Sequence, residues 1–167
     1  MCDAKTLSGF CKKNNCLFIM DKISSVLADP LCMRDLGVDV FVSGSQKVLA
    51  CPSGVSLIAP SDRTQHCLET IDSGCMYLDL KRALMNAERG QTPLTPAVGF
   101  LRQINTRLKQ LKCSGGAKAE NERIVSAAAD LRNRIAGLPL DRVSPTPSNA
   151  VTVFHSLNVS AYDGLPH

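Results

Sequence analysis

Two short apolar runs, separated by a segment long enough for one helix, constrain the fold of this chain more than any other feature. The runs are residues 16–20 and 38–42. Each is continuous and too short for an ordinary helix, which predicts a strand buried on both faces. A helix predicted over 30–36 lies between them and ends at Gly37, a residue type favoured at helix C-caps. Because two strands joined by a helical crossover pair in parallel, the sequence predicts an α/β fold.

The rest of the chain predicts one more strand, a series of helices and a final pair of strands. The strand at 55–59 follows the second run too closely for a full crossover, so we expect it to pair antiparallel with that run. Ser61 and the pair Thr95-Pro96 are helix-start signals, and Gly115-Gly116 is a stop signal. The predicted helices cover 3–14, 62–72, 78–88, 95–112 and 118–136, and the final strands cover 138–144 and 150–155.

A change in composition near residues 90–95 predicts a domain boundary. We therefore expect a first domain over residues 1–92 and a second, incomplete one over residues 93–167, which begins with a connecting helix.

Composition and charge exclude several functional classes for these 167 residues. The formal net charge is only +4 and aromatic residues make up 4% of the chain, so nucleic-acid binding gains little support. No uncharged apolar run approaches the roughly 18 residues of a membrane helix. The eight cysteines form no Cys-x-x-Cys pair, which argues against a zinc site and favours free thiols in the reducing cytoplasm. No metal site is expected.

Two polar residues mark the predicted functional edge of the sheet. Asp21 directly follows the first apolar run, and Lys47 lies in the loop after the second. In a parallel sheet ligands bind beyond the carboxyl ends of the strands, so both residues are expected at the ligand-binding edge. A lone lysine or aspartate at a strand end is usually a surface or turn residue. A lysine and an aspartate on neighbouring strand ends are, however, the pair that pyridoxal 5′-phosphate (PLP) requires, one for the Schiff base and one for the pyridine nitrogen.

The residues around this pair resemble those of a known enzyme family. Asp21, Ser24-Ser25, the Ser43–Lys47 loop and the later Pro52-Ser53-Gly54 turn, in this order and spacing, resemble the class V aminotransferases. These are PLP enzymes with the aspartate-aminotransferase fold, and the alanine–glyoxylate and serine–pyruvate transaminases are their best-known members. The resemblance implies part of the PLP-binding large domain, with a mostly parallel sheet, followed by part of a smaller α+β C-terminal domain. It implies a fragment that covers the middle and part of the C-terminal region.

The resemblance also implies a role for each site residue. Lys47 would form the internal aldimine with PLP, and Asp21 would pair with the pyridine nitrogen. The expected neighbours of the cofactor are Ile23 on the ring face, Ser25 and Ser45 as polar contacts, and Gln46 as a hydrogen-bond donor to the phosphate. Gln91 and Thr92 match the loop that reaches the phosphate of the partner subunit, which implies a homodimer.

The implied activity is transamination from a small amino acid or aminophosphonate to a 2-oxo acid such as pyruvate or glyoxylate. Two alternatives stay open: a truncated, catalytically incompetent fragment, and a lyase or desulfurase of the same superfamily. Gln46 favours the transaminase, because the lyases and desulfurases commonly carry histidine before the lysine. Lys22, where the family commonly has a small apolar residue, is expected to point away from Asp21 by strand alternation. The phosphate-binding loop and the arginine that binds the substrate carboxylate are not recognisable in the sequence.

Overall fold

Helices and strands alternate in the first part of the chain, and two long helices precede a small hairpin in the last part. The computed structural model describes residues 3–30 and 32–157. The helices are α1 (Ala4–Lys13), α2 (Met33–Leu36), α3 (Asp62–Thr70), α4 (Leu80–Glu88), α5 (Val98–Cys113) and α6 (Gly116–Ile135). The strands are β1 (Ile19–Asp21), β2 (Val40–Gly44), β3 (Ser56–Pro60), β4 (Leu140–Arg142) and β5 (Phe154–Ser156). None of the helices in these ranges combines the length and apolar character needed to cross a bilayer.

The main sheet has the order β1-β2-β3, with the helix α2 in the crossover between the first two strands. β1 pairs parallel with β2, and Asp21 lies opposite Val42. β3 pairs antiparallel with β2, and Leu57 lies opposite Ser43. The predicted α/β class, the parallel pair and the antiparallel third strand are thus confirmed. The three strands end one or two residues later than the sequence predicted.

Burial on both faces was predicted for the first two strands, and this is wrong for β1. Ile19 is 62% exposed, whereas Phe18, just before the strand, is buried. β1 lies at the edge of the three-stranded sheet, so its side chains can remain in contact with water. β2 lies in the centre and buries Val40 and Ser43. The continuous apolar run therefore predicted the strand correctly, but it did not predict how many of its side chains are buried.

Two helix boundaries that carry a capping residue agree with the sequence. The Ser61 hydroxyl accepts a hydrogen bond from the backbone N–H of Thr64 and starts α3, as predicted. α2 ends at Gly37, which has a φ of +59°, and a Cβ at this residue would lie 2.6 Å from Cε of Lys12. The positive φ favours glycine at this position, whereas the exposed end of the Lys12 side chain could move aside.

The predicted start of the fifth helix at Thr95-Pro96 is wrong. α5 begins at Val98 and its N-cap is Ala97, which makes no side-chain capping bond. The backbone N–H of Val98 donates to the carbonyl of Pro96 at 2.9 Å, so the chain makes a tight turn before the helix. The proline therefore precedes the helix instead of occupying its first turn.

The C-terminal hairpin is shorter than predicted, with three residues in each strand. The intervening segment binds the first part of the chain instead of extending the ladder. The backbone N–H of Asn149 donates to Oδ1 of Asp29 at 3.0 Å, and the Ser148 hydroxyl donates to Oδ2 of the same carboxylate. Pro145 and Pro147 have no N–H for a ladder bond. These contacts connect the C-terminal segment directly to the turn that follows β1.

Candidate active site

The register of the parallel strands brings Asp21 and the Lys47 turn to the same edge of the sheet. Asp21 lies opposite Val42, and the backbone N–H of Lys22 continues the ladder by donating to the Val42 carbonyl at 2.8 Å. The chain leaves β2 after Gly44 and turns at residues 45–49, where Lys47 is exposed. This edge is where a parallel sheet binds ligands.

Asp21 presents one carboxylate oxygen to the backbone and leaves the other available. Its Oδ1 accepts a hydrogen bond from the backbone N–H of Ile23 at 2.8 Å, and the residue is exposed. This bond starts the turn that contains Ile23 and Ser25, both half-buried, and the Ser25 N–H donates to the Lys22 carbonyl at 3.1 Å. Among residues 3–30 and 32–157, Oδ2 of Asp21 has no hydrogen-bond partner, so this oxygen can accept a bond from a ligand.

Ser45 closes the turn that carries Lys47. It is fully buried, and its hydroxyl donates to the Pro52 carbonyl at 2.6 Å. Its carbonyl accepts from the backbone N–H of Cys51 at 3.0 Å. The N–H of Ala50 donates to the Lys47 carbonyl at 2.9 Å, although Ala50 itself has a φ of +53°, in the left-handed region that is unfavourable for alanine. The turn is therefore held by specific bonds and contains one strained residue.

Gln46 lies across the end of β2, where Gly44 makes room for it. A Cβ at Gly44 would lie 2.5 Å from Oε1 of Gln46, which is closer than side-chain atoms can approach. The Gln46 side chain remains exposed at this strand end. Its amide is therefore available as a donor beside the Lys47 turn.

Gln91 and Thr92 lie in a different part of the molecule, in the exposed loop after α4. The Gln91 N–H donates to the Asn86 carbonyl at 2.9 Å, and the Thr92 hydroxyl donates to the Leu94 carbonyl at 2.7 Å. These bonds shape their own loop. Asp21, Gln46 and Lys47 thus lie at or just beyond the carboxyl ends of the two parallel strands, and Gln91 and Thr92 lie in the loop after α4.

Lys22 points away from the candidate site, as strand alternation predicted. It lines a cavity of about 620 Å³ together with Asp29 and Phe41, and Asp21 is not part of that lining. Burial lowers the pKa of Lys22 below its ordinary value, and the Asp29 carboxylate partly offsets this effect. Lys22 therefore does not compete with a cofactor for the charge of Asp21.

The sequence placed Ser43 in the loop with Lys47 and did not indicate that it lies buried in β2. Ser43 is 1% exposed, and its hydroxyl has no hydrogen-bond partner within the described ranges. A hydroxyl in the otherwise apolar run of β2 was the available signal, because an unpaired buried hydroxyl is costly. The reasoning also missed Arg107, whose contact with the Lys47 turn is distant in sequence.

The groups at the sheet edge fit PLP in their chemistry. The open oxygen of Asp21 can accept a hydrogen bond from a protonated pyridine nitrogen, and the exposed Lys47 offers a primary amine. The exposed Gln46 amide can donate to a phosphate oxygen.

Comparison with known proteins agrees with this chemistry. The sequence model of the aminotransferase class-V family matches residues 1–163. Alanine–glyoxylate aminotransferase of Felis catus is 41% identical over 73 residues, which are 42% of this chain and 18% of the relative. The small subunit of a soluble hydrogenase of Synechococcus is 27% identical over 146 residues, 87% of this chain and 38% of the relative.

The fold is also that of a solved aminotransferase. The aspartate aminotransferase of subgroup IV from Thermus thermophilus superposes with a TM-score of 0.81 at 29% identity, over 91% of this chain and 43% of that structure. The chain thus spans less than half the length of the relatives that it matches. With the family matched over nearly all of its residues, the chain belongs to the class-V aminotransferase family, whose fold implies pyridoxal 5′-phosphate as the cofactor.

Proposed function

We propose that this chain carries the lysine and aspartate of a PLP site that transfers an amino group from a small amino acid to a 2-oxo acid such as pyruvate or glyoxylate. One observation carries the proposal: the parallel register that sets Asp21 opposite Val42, five residues before Lys47, at one edge of the sheet. The amine and the carboxylate then stand on the two strand ends that face the same ligand site.

Each residue has a role that follows from its chemistry. The Lys47 amine would hold the cofactor covalently, and once free it would move a proton at the substrate α-carbon as general base and then acid. Asp21 keeps the pyridine nitrogen protonated through its open oxygen. When bound, PLP supplies an electron-accepting ring that stabilises negative charge at that carbon. Ile23 would pack on the ring, Ser25 and Gln46 would contact the cofactor, and the buried Ser45 would act indirectly by closing the turn that carries Lys47.

The remaining parts of the proposal concern assembly and location. Gln91 and Thr92 would contact the phosphate at the site of a second subunit in a homodimer, which suits their position in an exposed loop away from Asp21 and Lys47. We divide the chain into the end of the large domain, residues 1–92, and part of the small domain, residues 93–167. The free thiols described in the structure suit a cytoplasmic location.

Covalent trapping tests the proposal. PLP is added to the purified chain, the visible absorbance is recorded, and borohydride reduction followed by peptide mass spectrometry locates the modified lysine. We expect the label on Lys47, its loss in Lys47→Ala, and its retention in Lys13→Ala, a matched exposed lysine on α1. A label that persists in Lys47→Ala, or that is spread over surface lysines, would refute the proposal.

Amino transfer is tested separately with alanine and glyoxylate as substrates and pyruvate release as the readout. Asp21→Asn should keep the covalent adduct on Lys47 but lose most of the turnover, because a neutral amide does not hold the pyridine nitrogen protonated. If Lys47 is labelled but no amino acid reacts, the chain binds the cofactor without turnover. This result would favour the catalytically incompetent alternative.

A further inference from the structure

The turn that carries Lys47 is anchored by a residue from a distant helix. The Nε–H of Arg107 on α5 donates to the carbonyl of Leu49 at 3.2 Å, two residues after Lys47. Leu49 is buried, so its carbonyl is fixed together with its side chain. The Ser45 bonds hold the start of the same turn, and Arg107 therefore holds its other end.

Arg107 is itself held in place by a buried carboxylate. Its Nη2 donates to Oε1 of Glu120 on α6 at 2.6 Å, while Glu120 Oε2 accepts from Nε of Arg123 at 2.9 Å. The Glu120 side chain is 9% exposed. A planar guanidinium that bonds Glu120 and a carbonyl at the same time has little freedom to rotate. A lysine ammonium would not be fixed in orientation in this way.

The packing of α5 shows that this contact is part of a longer interface. Phe100, two helical turns before Arg107, lies against Gly54, where a Cβ would be 2.9 Å from Cε2 of the ring. Ile104, between them on the same face, is 5% exposed. Arg107 is thus placed on the segment 49–54 by the helix as a whole, and its contact with Leu49 is not an isolated surface bond.

From these contacts we propose that Arg107 is a positioning residue for Lys47. It fixes the turn that carries the lysine relative to the two long helices, α5 and α6. This inference rests on the proposed function in so far as Lys47 binds the cofactor. The alternative is that Arg107 only joins α5 to α6 through Glu120. Arg123 provides the matched control, because it shares the Glu120 contact and makes no described contact with the turn.

Hydrogen exchange measures the anchoring without any cofactor. The reporters are the amides of Ala50 and Cys51, which donate across the turn. In Arg107→Met these amides should exchange about tenfold faster, the effect of losing roughly one charge-assisted hydrogen bond, and in Arg123→Met they should be unchanged. Equal effects of the two substitutions, or no effect of Arg107→Met, would overturn the inference. Arg107→Lys repeats the test with the cation kept, in case the methionine variant does not fold.

Cofactor binding then measures the consequence for Lys47. We expect Arg107→Met to weaken PLP binding about tenfold and to shift the pH titration of the visible band, and Arg123→Met to change neither. A shifted titration distinguishes positioning from a general loss of stability. If the wild-type chain forms no adduct on Lys47, the proposed function fails, while the exchange rates still decide whether Arg107 anchors the turn.

Discussion

The charge of Glu120 should account for a measurable part of the stability of the chain, and Glu120→Gln tests this. The Arg123 hydrogen bonds, followed by the Arg107 bond, lower the pKa of Glu120 from its ordinary 4.5 to about 2. Glutamine keeps the shape of the side chain and removes the negative charge. The substitution therefore isolates the electrostatic contribution of the carboxylate.

The magnitude follows from the change in pKa. A fall from 4.5 to about 2 corresponds to about 3 kcal/mol of charge-dependent stability. Arg123 is 65% exposed, so solvent screening removes part of this amount. We expect Glu120→Gln to lower the free energy of unfolding by about 1–2 kcal/mol at neutral pH, measured by urea unfolding with circular dichroism.

The pH dependence gives the sharper test. Because the pKa of Glu120 is depressed in the folded state, its contribution is fully present above the ordinary value of 4.5 and is lost as the pH falls toward about 2. The difference between wild type and Glu120→Gln should therefore shrink in this window. A difference that stays constant would refute the reasoning. Glu122→Gln is the control, since Glu122 is 67% exposed and pairs with Lys118 only at 4.0 Å.

Substitutions at three further positions test the packing of the chain by urea unfolding. Gly54→Ala should lower the free energy of unfolding by about 1–3 kcal/mol, because Gly54 has a φ of +135° and its added Cβ would collide with Phe100. The loss should be smaller in a Phe100→Ala background, and equal losses in the two backgrounds would contradict the contact. Asn149→Ala should lower the free energy of unfolding by about 1 kcal/mol. Asn149→Asp should lower it further, because a second carboxylate would face Asp29, and an equal loss in the two variants would contradict this contact. Lys22→Met should raise the urea midpoint, because the burial of the Lys22 charge outweighs its attraction to Asp29 in a mostly apolar cavity. A lowered midpoint would show that the attraction to Asp29 dominates and would contradict this prediction.

The parallel strand pair and the placement of Asp21 and Lys47 at its carboxyl ends could be predicted because their signals are local. The apolar runs, Gly37 at a helix end and the polar residues at the strand ends each lie within a few residues of the feature that they determine. Since strands in parallel end at one edge, the proximity of Asp21 to the Lys47 turn followed from connectivity alone. The capping residue Ser61 was found by the same kind of local chemistry.

The features that escaped prediction depend on partners far away in sequence. Arg107 donates to the carbonyl of Leu49, 58 residues away in the sequence. Because every residue has a backbone carbonyl, the sequence does not indicate which one accepts this bond. The exposure of Ile19 depends on which elements cover the edge of the sheet, which a run of apolar residues does not specify. The C-terminal strands were predicted too long because Ser148 and Asn149 form bonds with Asp29 instead of a ladder.

The burial of Asp29 has a consequence for the order in which the chain can fold. The carboxylate is 4% exposed, and the residues that partner it, Ser148 and Asn149, lie 119 and 120 positions further on. Until that segment has been synthesised, the Asp29 carboxylate has only the charge of Lys22 nearby and lacks its hydrogen-bond donors, so we expect it to remain hydrated. The turn after β1, which begins at Asp21, can therefore reach its final packing only late in translation. Closing so long a loop is entropically slow, so we expect this junction to be among the last parts of the chain to become protected during refolding.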